Sequence, residues 1–114
     1  MTTLTVYHLK TCDTCRKAVK ALLNSHDLTL VDVRADGVSE AVLKDIAASV
    51  GWEALLNTRS TTWRGLDDSE KTDMSEAKAV TLMITHPTLI KRPVITDGTD
   101  ITVGWKAPQQ ERWL

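Results

Sequence analysis

The chain has 114 residues, 42% of them hydrophobic and 25% charged, the size and composition of one ordinary globular domain. Fourteen Lys and Arg against fifteen Asp and Glu leave a net charge of -1, so no chain-wide positive field draws it to nucleic acid or to an anionic membrane. No apolar run approaches the roughly 20 residues that span a bilayer, and the start MTTLTVYHLK lacks the basic onset and apolar stretch of an export signal, so a cytoplasmic location is expected.

Leu4, Val6 and His8 alternate with Thr3, Thr5 and Tyr7, a pattern that predicts a first strand running into Thr11 and Cys12. Thr11 is a candidate N-cap for a helix whose apolar stripe is Cys15, Ala18, Val19, Leu22 and Leu23, ending at Asn24 to Asp27. Residues 28–33 predict a second strand, and strand, helix, strand implies a parallel βαβ pair. Asp36-Gly37 punctuates its end. Ser39 can cap a second helix with Val42, Leu43, Ile46, Ala47 and Val50 on one face and Gly51 as its stop.

The stretch 52–68 reads as irregular, with a short helical piece at 53–56 and a polar run from Asn57 to Thr62. Asp73 and Glu76 resemble a capping box ahead of a third helix carrying Ala77, Val80, Leu82, Met83 and Ile84, stopped by Pro87. Val94 and Ile95, the turn Asp97-Gly98, and Ile101 with Val103 predict a hairpin, and Pro108 opens a terminal helix. The helical middle reads as an insertion into a small β/α sheet.

Cys12 and Cys15 are too few and too close to staple a fold, because a bridge across three residues closes almost no loop. Chemistry is the better use for them. A thiolate is the reacting form of cysteine, and the first turn of a helix stabilises it through free N–H groups and the helix dipole. Cys12 is placed there, with Lys10, Arg16 and Lys17 close in sequence. Cys15, one turn on and within the apolar stripe, is then the more buried resolving thiol. His8 can favour the thiolate if protonated, or serve only in packing.

Two other readings compete: both cysteines as small buried hydrophobes, or half of a zinc site. Zinc takes about four ligands, and beyond the cysteines the chain offers only His8, His26 and His86, so no metal is expected. Arg59 and Arg92, the latter just before Pro93, are candidates to hold a planar carboxylate or an oxyanion by paired hydrogen bonds.

Three blocks carry a family resemblance: Tyr7-His8-Leu9-Lys10-Thr11-Cys12, the run from Gly51 to Arg59, and the run from His86 to Ile95. In this order and spacing they resemble the ArsC/Spx family of glutaredoxin-linked arsenate reductases and their relatives. The run 51–64 is similar to the YffB-type branch. The resemblance implies an α/β, thioredoxin-like (glutaredoxin-like) fold forming one domain over 1–114, a small mixed sheet of about four strands flanked by helices, with a helical insertion at about 37–86.

It further implies that Cys12 is the catalytic nucleophile, assisted by His8, with Cys15 or glutathione resolving the intermediate. Arg92, Arg59 and Lys10 would bind substrate, and Pro93 would be a cis-proline beside the site. Glutathione is the implied co-substrate, glutaredoxin or thioredoxin the implied partner, and no bound cofactor is expected. The substrate is a small anion or a disulfide, and the chain is expected to be a monomer. Where the arsenate reductases carry an arginine directly after Ala-Leu-Leu, this chain has Asn57, with Arg59 two residues later; Val103-Gly104-Trp105 stands where another arginine is usual. General thiol–disulfide chemistry is therefore expected more than arsenate reduction.

The alternative is the Spx branch, redox-sensing regulators that bind the RNA polymerase α subunit. Residues 12–18, Thr58-Arg59-Ser60 and the position of Gly51 match it, while the tail from Gln109 to Leu114 lacks the strongly basic end associated with those regulators.

Overall fold

The computed structural model describes residues 2–114. In chain order the elements are β1 (Thr2–His8), α1 (Asp13–Leu22), β2 (His26–Asp32), α2 (Glu40–Val50), α3 (Trp52–Leu55), α4 (Thr61–Arg64), α5 (Asp68–Lys71), α6 (Glu76–Thr85), a 3-10 turn at Pro87–Leu89, β3 (Val94–Thr96), β4 (Ile101–Val103) and α7 (Ala107–Trp113). They fall into two compact units: residues up to Asp36 with Arg92–Leu114, and Gly37–Lys91. Among the described residues no helix is long and apolar enough to cross a membrane.

The first unit is a mixed four-stranded sheet in the order β2-β1-β3-β4, the thioredoxin-like arrangement the sequence implies. β1 and β2 are parallel, as a crossover through α1 requires, while β3 is antiparallel to both β1 and β4. Leu4, Val6, Leu22, Ile95 and Trp113 form its core, with Val19, Leu28 and Trp105 packed against them. α1 and α7 both contribute to that core. Trp113 is anchored by its indole N–H, which donates to Thr102 Oγ1 at 2.8 Å, and His26 Nε2 lies 2.6 Å from the Trp113 carbonyl oxygen.

β2 begins two residues earlier than the apolar pattern suggests, because His26 and Asp27 extend the ladder opposite Thr2 and Thr3. The α1 stripe is also narrower than its periodicity implies. Cys15, Ala18 and Leu22 are buried, but Leu23 is the C-cap and is exposed.

The second unit packs α2 and α6 through Leu43, Ile46, Ala47, Ala79, Val80, Leu82 and Met83. Ser39 caps α2 as expected, its side chain accepting from the Val42 N–H at 3.3 Å. Gly51 ends that helix at φ 86°, a left-handed conformation that favours glycine. For α6 the cap is Ser75, which accepts from the Lys78 N–H at 3.2 Å, and not Asp73, whose own φ is 50°. Ala77 and Ile84, both in the predicted apolar stripe, lie near the two ends of the helix and are exposed. The segment read as irregular contains a further helical turn, α4, and α5 begins at its last residue, Asp68; Ser60 caps α4 by accepting from the Trp63 N–H.

Candidate functional site

The site is built where β1 hands over to α1. Leu9 is buried, and its carbonyl accepts the Cys12 N–H at 2.9 Å, closing residues 9–12 into a tight turn. Cys12 therefore stays extended, at φ -89° and ψ 115°, while its own carbonyl accepts the Arg16 N–H at 3.1 Å as the first bond of α1. Cys12, not Thr11, is the N-cap. It sits one position before the first helical residue to which the sequence pattern assigned it, with its thiol at the positive end of a ten-residue helix.

The two thiols are free and differ in their surroundings: Cys12 is half-buried, Cys15 fully buried. Partial burial pushes the Cys12 thiol up. The Cys15 N–H and thiol, together with the Arg92 guanidinium, more than offset this, and the Cys12 pKa falls below the ordinary cysteine value. For Cys15, burial dominates and the neighbouring Cys12 thiolate adds to it, so its pKa is pushed up to about 12. One sulfur is thus disposed to ionise and the other to stay protonated.

Arg92 is the cation that acts on Cys12. It precedes Pro93 across a cis peptide bond, and the buried Pro93 accepts the Gly104 N–H at 2.9 Å through its carbonyl, tying this corner to the end of β4. Arg16, which the sequence also offered, is engaged elsewhere: Nη1 pairs with Asp13 at 3.3 Å and Nε donates to the Lys10 carbonyl at 2.9 Å. Arg92→Met is expected to raise the Cys12 pKa and lower the thiolate population at neutral pH. Alkylation rate measured against pH should show the titration moving to higher pH, and an unmoved midpoint would contradict the role given to Arg92.

Asp32 was not singled out from the sequence. It is buried at the end of β2, opposite His8 in the β1–β2 register. Its carboxylate accepts three backbone N–H groups: Ala35 at 2.8 Å, Arg34 at 2.9 Å and Lys10 at 3.2 Å. The Ala35 N–H leads in holding its pKa below the usual carboxylate value; burial opposes it, and Arg34, Lys10 and the charge of His8 add to it. The Lys10 bond matters for Cys12, because it fixes the loop two residues before the thiol. A signal was present: a charged residue on the same strand face as Leu28 and Leu30, where an unpaired acid would be costly.

The first unit therefore holds Cys12, Cys15, His8, Lys10, Arg92 and Pro93, with His8 bearing on Asp32. Lys10 is exposed apart from its backbone bonds. Arg59 belongs to the second unit, where it is exposed and its N–H donates to Asn57 Oδ1 at 3.1 Å. Among the described residues no group of three or more His, Cys, Asp or Glu is arranged to hold a metal ion.

Known proteins resemble this chain over nearly its whole length. The ArsC family model matches residues 7–112. An uncharacterized protein of Haemophilus influenzae is 37% identical over 109 residues, covering 95% of this chain and 96% of that protein. The solved structure of the YffB protein superposes with a TM-score of 0.85 at 36% identity, over 97% of this chain and 98% of that one. The global transcriptional regulator Spx of Streptococcus mutans is 27% identical over 115 residues, 97% of this chain and 82% of the regulator.

Proposed function

The chain belongs to the ArsC family, and from that premise we propose that it is a glutathione-linked thiol–disulfide reductase with Cys12 as its nucleophile. The observation that carries this reading is the division between the two thiols: a lowered pKa at the half-buried N-cap cysteine and a raised one at its buried neighbour.

The Cys12 thiolate attacks the glutathionyl sulfur of a mixed disulfide. The new S–S bond joins Cys12 to glutathione, the old one breaks, and the substrate leaves as a thiolate that takes a proton from water. A second glutathione thiolate then attacks the same sulfur, releasing oxidised glutathione and restoring the Cys12 thiolate. One glutathione thiol is oxidised for each mixed disulfide reduced, the other half of the oxidised glutathione coming from the substrate. Cys15, buried and held as a thiol, is a poor attacker, so the resolving step falls to glutathione. Glutaredoxin or thioredoxin could supply the same electrons. Arg92 stabilises the thiolate whenever it forms, and Lys10 offers its charge to an anionic substrate at the same loop.

The test is turnover of a glutathione mixed disulfide of 2-mercaptoethanol with excess glutathione, read as oxidised glutathione formed. Saturable turnover above the uncatalysed rate is expected, and its absence would overturn the reading. The same preparation, offered arsenate, reports whether oxyanion reduction accompanies it. The likeness to Spx across nearly the whole chain supports a second reading, a redox-sensing regulator. Redox-dependent capture of the RNA polymerase α subunit without any turnover would favour the regulator.

A further inference from the structure

The register of β1 with β2 sets Leu4, Val6 and His8 beside Leu28, Leu30 and Asp32 on one face of the sheet. α1 covers the inner part of that face: Leu4, Val6 and Leu22 lie in the core and Leu28 packs against it. Two large apolar side chains are left outside. Leu30, on the edge strand β2, is 45% exposed, and Leu23, at the end of α1, is 57% exposed. Both line one open groove of about 320 Å³, with Val19 as a third apolar wall. The remaining lining residues are basic: Lys10, Arg16 and Lys20, together with His8. No carboxylate lines the groove, and among the described residues neither Lys10 nor Lys20 forms an ion pair.

We propose that this groove binds an acidic, aliphatic peptide segment of the protein whose mixed disulfide Cys12 reduces, an inference that rests on the reductase reading above. Exposed leucines gathered in a concavity with a basic rim are complementary to leucine-like side chains flanked by carboxylates. The volume lies at the low end of ligand pockets, roughly 300–1,000 Å³, which suits one or two aliphatic side chains and not a nucleotide cofactor. Glutathione and arsenate are too polar to use the leucines. The near-zero net charge of the chain gives an anionic membrane little overall attraction. The groove also adjoins the thiol along the chain: Lys10 lies two residues before Cys12, and the Arg16 N–H bonds the Cys12 carbonyl. A segment held there would deliver a neighbouring cysteine of its own protein toward the N-terminal end of α1.

The experiment follows backbone amide shifts of the intact protein titrated with a cysteine-free peptide, acetyl-Leu-Asp-Glu-Leu-amide. The charge-inverted acetyl-Leu-Lys-Lys-Leu-amide and phosphatidylserine-containing vesicles are added to separate samples. Saturable shifts confined to residues 8, 10, 16, 19, 20, 23 and 30 are expected for the acidic peptide alone. Leu23→Glu and Leu30→Glu, both at exposed positions that need no refolding of the core, should each weaken its binding by about tenfold while leaving turnover of the 2-mercaptoethanol mixed disulfide unchanged. Equal binding of the lysine peptide, shifts elsewhere, no binding, or a stronger response of these residues to the vesicles would overturn the proposal. Turnover that persists without peptide binding rejects the groove and spares the reductase. Peptide binding without any turnover rejects the reductase, and with it the link to Cys12.

Discussion

Cys12→Ser should abolish turnover of the glutathione mixed disulfide, lowering kcat/KM by about a thousandfold or more, because no other ionisable sulfur is available to attack. Cys15→Ser should keep activity within about tenfold of the parent. The asymmetry follows from the surroundings of the two sulfurs. Cys15 is fully buried with its pKa pushed up to about 12, so at neutral pH it is a buried thiol. Its N–H and side-chain hydrogen both favour the Cys12 thiolate, and serine retains a donor at each place. The assay is initial rate against mixed-disulfide concentration at fixed glutathione. An active Cys12→Ser protein would remove the nucleophile assignment. A dead but folded Cys15→Ser protein, accumulating glutathione on Cys12, would show instead that Cys15 resolves the intermediate.

Loss of the Asp32 carboxylate should have the largest effect on stability. Asp32→Ala leaves the N–H groups of Lys10, Arg34 and Ala35 without their acceptor, and hydrogen bonds to a charged, buried group are worth enough that a loss of about 2–4 kcal/mol is expected. Asp32→Asn should also be less stable than the parent, since its amide presents a donor where the Lys10 N–H needs an acceptor. The pH dependence has a definite sign. The folded pKa of Asp32 is depressed below the unfolded carboxyl value of about 3.9, so its contribution is full above that pH and is lost as pH falls through the folded value. Denaturant unfolding at neutral and acid pH reads both effects. The gap between parent and Asp32→Asn should narrow on acidification; a pH-independent gap, or one near zero at neutral pH, would contradict the assignment.

Much of this architecture is visible in local pattern. The alternation of Leu4 and Val6, the three-and-four spacing of Cys15, Ala18 and Leu22, and the hairpin turn at Asp97-Gly98 each encode an element through burial of one face, and each element formed. Caps were legible only when the capping residue had no competitor. Ser39 acts as expected, but Thr11 lost its place because the Leu9 carbonyl takes the Cys12 N–H and starts α1 one residue later. Asp73 similarly gave way to Ser75, whose hydroxyl reaches the Lys78 N–H. The exposed positions of Leu23 and Ile84 show why periodicity overreaches at helix ends, where a hydrophobic residue continues the stripe beyond its covering partner.

The site divides along the same line. Cys12 and Cys15 are adjacent in sequence, so their roles could be argued from spacing. The action of Arg92 on Cys12 depends on β3 pairing beside β1, a contact between residues 80 positions apart that no local pattern encodes. Residue chemistry and the family resemblance both offered Arg92 as an anion-binding candidate, but neither placed its charge on Cys12. Asp32 was missed by both routes, although its alternation with Leu28 and Leu30 marked an acid on an inward-facing strand position.

The pH dependence of Cys12 alkylation, followed by intact-protein mass with Cys12→Ser as the control, tests the division between the thiols most directly. The expected result is a single fast alkylation, absent in Cys12→Ser, with a midpoint below the free-cysteine value of about 8.5 and with Cys15 unmodified until the protein unfolds. A midpoint at or above that value, or modification of both cysteines at equal rates in the folded protein, would contradict it.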